Sequence, residues 1–178
     1  MRILGFCVLV CFLFTGCATV TTSTHTEIPR KYPDGLTGNK KVVITDFEEL
    51  GGDCLKKEIK EYLEGTNKFV VFIQEKTDDR MLDEFLEKEG IHLHFSGRMK
   101  NYRIFPSKGV SSLAAAEVKV IDVYSGETLW SKETSVLVNS GLYEACKDLA
   151  TKLLNEFLNH YVTLESGKSR VEKNNERL

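Results

Sequence analysis

The chain has 178 residues, of which 42% are hydrophobic and 28% charged, a balance typical of a globular protein that argues against disorder throughout. The length suits one domain of moderate size and leaves little room for two. With 24 basic and 26 acidic residues the formal net charge is -2, which gives no electrostatic reason to expect a nucleic-acid partner.

The first residues have the pattern of an export signal. Arg2 precedes an apolar run over 3–14, which is too short for a transmembrane helix of about 20 residues but suits the hydrophobic region of a signal peptide. The run ends at 14–17 in Phe-Thr-Gly-Cys, which resembles the bacterial lipobox. The resemblance implies removal of residues 1–16 and acylation of Cys17. A plain secretory signal and an uncleaved membrane anchor are the alternatives.

The segment after Cys17 is predicted to be a tether. Ala18 stands where inner-membrane lipoproteins of Gram-negative bacteria carry Asp, so the resemblance implies sorting to the periplasmic face of the outer membrane. The membrane is then a partner through the lipid anchor, and each buried methylene of the acyl chains contributes about 0.8 kcal/mol. Residues 17–39 are Thr-rich and lack hydrophobic periodicity, as expected of an extended linker.

Strand and helix patterns then alternate over residues 40–164. Strands are predicted at 41–47, 68–73, 91–99, 114–123 and 128–138. Helices are predicted to begin at Asp53 and at Thr77 or Asp78 as N-caps, with stops at Gly65 to Asn67 and at Gly90, and a long helix covers 140–163. The order β-α-β-α-β-β-β-α predicts one layered α/β (α+β) domain, with a mixed sheet of about five strands and three helices.

Three local features refine this prediction. The run 68–73 is continuously apolar, as expected of a strand covered on both faces. Gly126 is predicted to take a positive φ in a tight hairpin, and the broad apolar stripe of the last helix predicts that it lies across the sheet. Residues 165–178 are charged and weakly apolar, which indicates a frayed helix end or a disordered tail.

Three segments carry a family resemblance. Residues 42–47 form an opening strand that ends in Phe, 67–71 read Asn-Lys-Phe-Val-Val, and 118–130 contain an Asp, a Ser-Gly-Glu turn and an apolar pair that ends in Trp130. This pattern resembles the periplasmic domain of curli-export-type lipoproteins. Their relatives include lipoprotein activators of penicillin-binding proteins and the amino-terminal domain of the Tol-system propeller protein.

The chain departs from the curli exporters in one segment. Those proteins insert long membrane-spanning hairpins into the domain, whereas the corresponding segment here covers only residues 101–112. Each transmembrane strand needs about 9–11 residues, so this segment cannot cross a bilayer twice. A pore built from this chain alone is therefore not expected.

Cys54 and Cys146 are the cysteines that remain once the signal is removed and Cys17 is acylated. Both are predicted on helices. An oxidising periplasm permits a disulfide between them if those helices are adjacent. Two buried free thiols, which behave as small apolar residues, are the alternative.

Two further groups of polar residues are candidate sites. His92 and His94 are two apart in a predicted strand, so both are expected on one face, where they could bind Zn²⁺ with a third ligand. No third ligand stands at motif spacing, which favours two packed histidines. The second group is a cluster of four acidic residues, Asp46, Glu48, Glu49 and Asp53. Their spacing matches no calcium-binding loop, and capping and solvation explain the cluster.

The chain shows neither a phosphate loop nor a nucleophile elbow, so it is predicted to be neither an enzyme nor a cofactor-binding protein. Aromatic and apolar residues between the third and fourth strands either dock a partner or extend those strands into a longer hairpin: Tyr102, Ile104, Phe105 and Val110.

The sequence therefore predicts an outer-membrane lipoprotein whose domain binds an unidentified envelope protein in envelope assembly, secretion or cell-wall synthesis. A metal-binding periplasmic protein that uses His92 and His94 is one alternative. A ring-forming accessory subunit of a secretion channel, and therefore a homo-oligomer, is the other.

Overall fold

The structure is a computed structural model that describes residues 28–31, 39–75, 78–105, 111–139 and 141–175. The elements along the chain are β1 (Lys40–Glu48), α1 (Gly52–Gly65), β2 (Phe69–Ile73), α2 (Asp79–Glu89), β3 (Leu93–Phe105), β4 (Ser111–Asp122), β5 (Thr128–Val138) and α3 (Leu142–Asn175). The predicted order and the predicted fold class, an α+β domain with a five-stranded mixed sheet and three helices, are confirmed.

The sheet has the strand order β2-β1-β3-β4-β5. β1 pairs in parallel with β2 on one side and with β3 on the other, and β3, β4 and β5 are antiparallel. The crossover through α1 moves one strand outward, and the crossover through α2 returns past β1 in the opposite direction. Because such crossovers are right-handed, opposite directions place α1 and α2 on opposite faces of the sheet.

The larger core lies between the sheet and the two helices α1 and α3. Phe157 of α3 is at its centre. Its ring centroid is 5.1 Å from that of Phe95, 5.7 Å from that of Trp130 and 5.5 Å from that of Tyr161. The prediction that the last helix lies across the sheet is confirmed, and Trp130 of β5 packs against this helix.

The opposite face is covered only in part. Leu86 of α2 packs with Val43 and Ile91 in a second, smaller core, and the Phe72 and Phe85 rings meet edge to face with centroids 5.9 Å apart. This helix lies over β1, β2 and the start of β3. Beyond this helix the same face of β3, β4 and β5 carries Arg98, Lys100, Glu117, Lys119 and Glu133, together with Leu137, which is 65% exposed, and we call this surface the open face.

The predicted N-cap of α1 is wrong. The N-cap is Gly51, with φ 92, and Asp53 lies in the first turn, where its carboxylate is 3.2 Å from Lys56 Nζ. The chain passes so close to β1 here that a Cβ on Gly52 would lie 2.1 Å from Phe47 O. A tight left-handed turn at Gly51 therefore starts the helix, and an Asp side chain is not needed to cap it.

Three other predicted boundaries agree with the structure, at Asp78, Gly90 and Gly126. Asp78 caps α2 by accepting a hydrogen bond from Arg80 N at 3.2 Å, and Gly90 ends that helix with φ 61. In the β4–β5 turn Gly126 has φ 70, and Asp122 Oδ1 accepts hydrogen bonds from Tyr124 N at 3.0 Å and from Ser125 N at 2.9 Å.

β2 lies at the edge of the sheet, and helices contact both of its faces as predicted. The cover is partial, with Val70 46% exposed and Ile73 38% exposed. Phe69 contacts the Tyr161 ring on one face and Phe72 contacts α2 on the other, so both faces need apolar residues. A continuous apolar run therefore indicates that helices pack on both faces of the strand. It does not indicate whether the strand is central or at the edge of the sheet.

The last helix extends to Asn175, well past the predicted end at residue 163. Glu165 accepts a hydrogen bond from Tyr161 Oη at 3.1 Å and lies 3.0 Å from Lys40 Nζ. These contacts continue the helix over part of the predicted charged tail. The limits of the signal, tether, domain and tail stay predictions.

Candidate functional site

A crevice of about 1070 Å³ opens on the sheet at the carboxyl ends of β1 and β2. Its walls include Thr45 and Glu48 from β1, Lys56 from α1, and His94 from β3. The chain crosses from β1 to β2 on one side of β1, and then from β2 past β1 to β3 on the other side. In open α/β sheets this switch point, at the carboxyl ends of the strands, is where ligands commonly bind.

Beside the crevice, the open face carries a row of paired charges. Arg98 donates through Nε and Nη2 to Glu117 Oε2 at 3.2 Å and 3.1 Å, and Lys100 Nζ lies 3.3 Å from the same oxygen. Lys100 also donates to Glu133 on β5. Hydrogen bonds from Lys100 and then Arg98 hold the pKa of Glu117 below its usual value, so this carboxylate stays charged. The row links three strands and presents both signs of charge to solvent.

The two histidines have separate partners. His92 precedes β3, its Nδ1 accepts from Lys41 N at 3.2 Å, and its ring meets the Tyr124 ring with centroids 5.8 Å apart. His94 lies on β3, with Nε2 3.0 Å from Thr45 Oγ1, and burial lowers its pKa and favours the neutral ring. Within the described ranges, no group of three His, Cys, Asp or Glu side chains is arranged to hold a metal ion. The metal hypothesis thus gains no support.

The acidic residues after β1 are not gathered into one site. Glu48 and Asp53 line the crevice, and Asp53 pairs with Lys56. Glu49 has the positive φ of 74 in the turn, and the side chain of Asp46 lies outside the described part of the structure. The helix start and the ion pair with Lys56 account for Asp53.

The predicted partner-binding residues lie at the far end of the β3–β4 hairpin. The two strands pair from Leu93–Asp122 to Phe105–Ser111, so this segment extends the hairpin, which was one of the two predicted alternatives. Tyr102 is half-buried against the core, with Oη 3.4 Å from Ser112 Oγ, and Ile104 is 55% exposed. The Phe105 side chain and Val110 lie outside the described residues, so a partner-binding role stays a prediction.

Cys54 and Cys146 are free thiols that lie together where α1 meets α3. Cys54 is half-buried and Cys146 is fully buried. Burial raises the pKa of both thiols, and the neighbouring Glu58 carboxylate adds to the increase. The predicted requirement that their helices be adjacent is met, and the disulfide itself stays a prediction.

A short segment of the predicted tether lies against the domain. Residues 28–31, which we call the strap, contact α1 and α3, and Ile28 packs against the main core. Asn155 donates through Nδ2 to Pro29 O at 3.1 Å and accepts through Oδ1 from Lys31 N at 2.8 Å. Tyr62 Oη donates to Lys31 O at 3.1 Å. Side chains of α1 and α3 therefore bond the backbone of the strap at Pro29 and Lys31.

Arg30 of the strap lies over a buried acid. Its Nη2 is 3.8 Å from Glu58 Oε2, and its guanidinium carbon is 5.3 Å from the centroid of the Tyr62 ring. Glu58 is 1% exposed, and its Oε1 has no hydrogen-bond partner in the described structure. Burial, and then the charge of Glu61, raises the pKa of Glu58. Sequence analysis missed the strap, although an Ile followed by Pro in a polar segment was a usable signal.

Residues 1–27, and with them the predicted signal and Cys17, lie outside the described structure. Across the ranges that the structure does describe, no helix is both long enough and apolar enough to span a bilayer.

No family model matches the chain, and no curated protein matches it. Among solved structures, the PelC dodecamer from Paraburkholderia phytofirmans matches with 16% identity and a TM-score of 0.53, over 73% of this chain and 95% of that one. Protein XCC0632 from Xanthomonas campestris, of family DUF330, matches with 8% identity and a TM-score of 0.52, over 82% and 96%.

A weaker match is lipoprotein GNA1162 from Neisseria meningitidis, with 13% identity and a TM-score of 0.41, over 69% of this chain and 99% of that one. The specific resemblance to curli exporters stays a prediction. The fold of this chain is the one seen in PelC and XCC0632.

Proposed function

We propose that the chain is an outer-membrane lipoprotein, acylated at Cys17, whose periplasmic domain binds other envelope proteins and catalyses no reaction. The anchor is supported by the apolar run at 3–14 and the Thr-Gly-Cys sequence that follows it. Ala18 supports the outer membrane as the destination. The cell process, whether envelope assembly, secretion or cell-wall synthesis, is part of the same proposal.

The observation that carries the binding role is the open face. A rigid three-stranded surface presents Arg98, Lys100, Glu117 and Glu133 in alternating signs beside a crevice. Charges arranged in this way favour a partner with complementary charges and disfavour others, which gives specificity more than affinity. The adjacent concave surface offers a protruding group of the partner a place to bind.

The strap supports a short reach from the membrane. With Ile28 held on the domain, only residues 18–27 separate it from Cys17, which is 28 − 17 = 11 steps along the chain. An extended chain of that length spans at most roughly 36–40 Å. Confinement within such a distance raises the effective concentration of a membrane-bound partner and strengthens weak contacts.

The anchor is tested by metabolic labelling with radioactive palmitate. The wild-type protein is expected to be labelled and to fractionate with the outer membrane, and a Cys17→Ser variant is expected to lose both properties. Equal labelling of the two proteins, or none of the wild type, would overturn the anchor.

The binding surface is tested by in-cell photo-crosslinking. A photoreactive amino acid at Lys119, on the open face, is expected to give a discrete adduct with an envelope protein. The matched control is His160, which is exposed on α3 behind the other face of the sheet. Adducts from position 160 alone would contradict the assignment of the open face.

A ring-forming subunit is the second candidate, and PelC, which is described as a dodecamer, favours it. Rings need two different, complementary surfaces on each subunit. In the described residues no strand pairs with the outer edge of β2 or of β5, and the β2 edge exposes Val70 and Ile73. Light scattering of the wild type should then show an oligomer, and Val70→Lys should dissociate it while Leu50→Lys should not. A monomer at every concentration would exclude this candidate.

A further inference from the structure

We propose that the mature protein carries a disulfide between Cys54 and Cys146 that joins the beginning of α1 to the beginning of α3. The proposal rests on the proposed periplasmic location, because a disulfide persists in an oxidising compartment and is rare in a reducing one. The bond itself is argued from the geometry of the two helices.

Each thiol reaches the start of the other helix. Cys54 Sγ donates to Leu142 O at 3.9 Å, and Cys146 Sγ donates to Gly51 O at 3.9 Å. A Cβ on Gly51 would lie 3.2 Å from Leu142 Cδ1, so the starts of the two helices pack on each other at this place. Each sulfur therefore lies beside the start of the other helix, and side-chain rotation with a small shift of the helix ends can bring the two sulfurs to the bonding distance of about 2.05 Å.

Access to the thiols sets the order of events. Cys54 is half-buried and Cys146 is buried, and burial raises the pKa of each thiol and so lowers its thiolate fraction. The folded, reduced pair is consequently a poor nucleophile. Oxidation therefore takes place as the domain folds or during local opening of the α1–α3 contact.

The reaction requires an oxidant, which here is the disulfide of a periplasmic thiol–disulfide oxidoreductase. The Cys54 thiolate attacks one sulfur of that disulfide, breaks its S–S bond, forms a mixed disulfide and releases the first thiolate of the oxidant. Cys146 then loses its proton and attacks Cys54 Sγ, which forms the Cys54–Cys146 bond and releases the second thiolate. The chain loses two protons and two electrons, and the oxidant is reduced to a dithiol.

The bond would close a long loop. It joins positions 146 − 54 = 92 residues apart, and β2, α2, β3, β4 and β5 lie between them. Cross-links across loops of this length restrict the unfolded chain strongly. For a domain of this size the loss of such a link is expected to lower the melting temperature by on the order of 10 °C.

The test counts thiols in the acylated full-length protein purified from membranes. The protein is unfolded in N-ethylmaleimide with and without prior reduction, and its mass is measured. The expected result is no adduct without reduction, two adducts after reduction, and a cross-linked peptide pair that contains Cys54 and Cys146. Reduction of the wild type should lower its melting temperature by on the order of 10 °C. A Cys54→Ser variant should melt at one temperature with or without reductant.

A second measurement tests whether Cys54 and Cys146 can pair, independently of the compartment in which the protein resides. The reduced protein is refolded with oxidised glutathione, and its thiols are counted again. Two free thiols after this treatment overturn the pairing, whatever the compartment. A bond that forms with glutathione but is absent from the membrane-purified protein overturns the claim that the native protein carries it. Palmitate labelling of Cys17 then reports separately on the anchor.

Discussion

At the scale of single residues, Gly97 is the position in β3 where a side chain cannot be accommodated. A Cβ there would lie 2.2 Å from Glu117 O and 2.6 Å from Phe47 Cε1. The register of β1 against β3 shifts between Ile44 and Phe47, and the Phe47 ring is buried in the main core across Gly97. The missing side chain thus makes room for a core ring where β1 ends and the crevice begins.

We expect Gly97→Ala to lower the free energy of unfolding by about 1–3 kcal/mol, because the new methyl group would contact backbone that cannot move freely. The matched control is Gly167→Ala on α3, where a Cβ would meet no atom within 4 Å. That change is expected to raise the stability by about 0.5–1 kcal/mol, since Ala has the better helix propensity. Urea denaturation measures both values, and a Gly97→Ala variant as stable as the wild type would contradict the argument.

Glu58 gives the stability of the protein a dependence on pH. Its pKa is raised, first by burial and then by Glu61, while Arg30 and Lys57 act in the opposite direction. The folded state therefore keeps a proton at pH values where the unfolded chain has released it. Its stabilising contribution is complete below the unfolded pKa of about 4.3 and is lost as the pH rises through the higher folded pKa.

We expect Glu58→Gln to remove this dependence. The variant should gain stability relative to the wild type as the pH rises from about 4 to about 8, because Gln releases no proton. Urea midpoints measured across that range test the slope. Glu64→Gln is the control, because it removes a carboxyl group from the same helix at a half-exposed position. The Glu64 carboxylate lies 3.8 Å from Lys60 Nζ. Parallel curves for the wild type and Glu58→Gln would refute the role of Glu58.

At the scale of elements, α3 holds the sheet together through one aromatic contact group. Phe157 contacts Phe95 on β3, Trp130 on β5 and Tyr161 one turn further along the helix. It therefore links a central strand, an edge strand and the C-terminal half of the helix. Apolar neighbours on the same face continue the contact along the helix, as the broad stripe in the sequence predicts.

We expect Phe157→Ala to cost about 3–5 kcal/mol of stability, because the change leaves a cavity between α3 and two strands. His160→Ala, on the exposed side of the same helix, is expected to change the stability by less than about 0.5 kcal/mol. Since Trp130 is the one tryptophan of the chain, its fluorescence reports the unfolding transition directly. Equal transitions for the two variants would show that this contact group is not central.

At the scale of the whole molecule, the strap joins the segment that leads to the proposed anchor to the folded domain. Asn155 bonds the strap on two sides, at Pro29 O and at Lys31 N, and Arg30 pairs with Glu58. Under the proposed acylation of Cys17, the reach of the domain from the membrane would depend on these hydrogen bonds and this ion pair.

We expect Asn155→Ala to loosen the strap and to cost about 1–2 kcal/mol, since Pro29 O loses the Asn155 donor and Lys31 N keeps only the longer bond to Tyr62 Oη at 3.2 Å. Hydrogen exchange should become much faster at the amide of Lys31 and stay unchanged in the middle of β4. In the control, Asn159→Ala, the lost bond is to Asn155 O within α3 and does not involve the strap. Unchanged exchange at Lys31 in the Asn155 variant would show that the strap is held by other contacts.

Local sequence patterns predict much of this fold. The period of the apolar residues identifies all five strands and all three helices, and Asp78, Gly90 and Gly126 mark boundaries where the structure has them. These signals are local, because a cap or a turn depends on a few consecutive residues. The cap of α1 failed as a prediction because close packing of Gly52 on Phe47 lies outside that local pattern.

The functional surfaces are predicted less well. The spacing of His92 and His94, two residues apart, suggests one metal site, yet a ring nitrogen of His92 accepts from Lys41 N and one of His94 lies beside Thr45 Oγ1. The crevice, the charge row from Arg98 to Glu133 and the strap join residues that are distant along the chain. No pattern of spacing within one segment indicates such contacts.

Short-range periodicity and local turn signals were thus sufficient for the class of the domain and the order of its elements, because each depends on neighbouring residues. The lipid anchor stays a prediction from the resemblance to the lipobox. The edge position of β2, the open face, the strap on α1 and α3 and the position of Cys54 and Cys146 where these helices meet were decided by packing. Their physical basis is the burial and hydrogen bonding of groups that only the folded chain brings together.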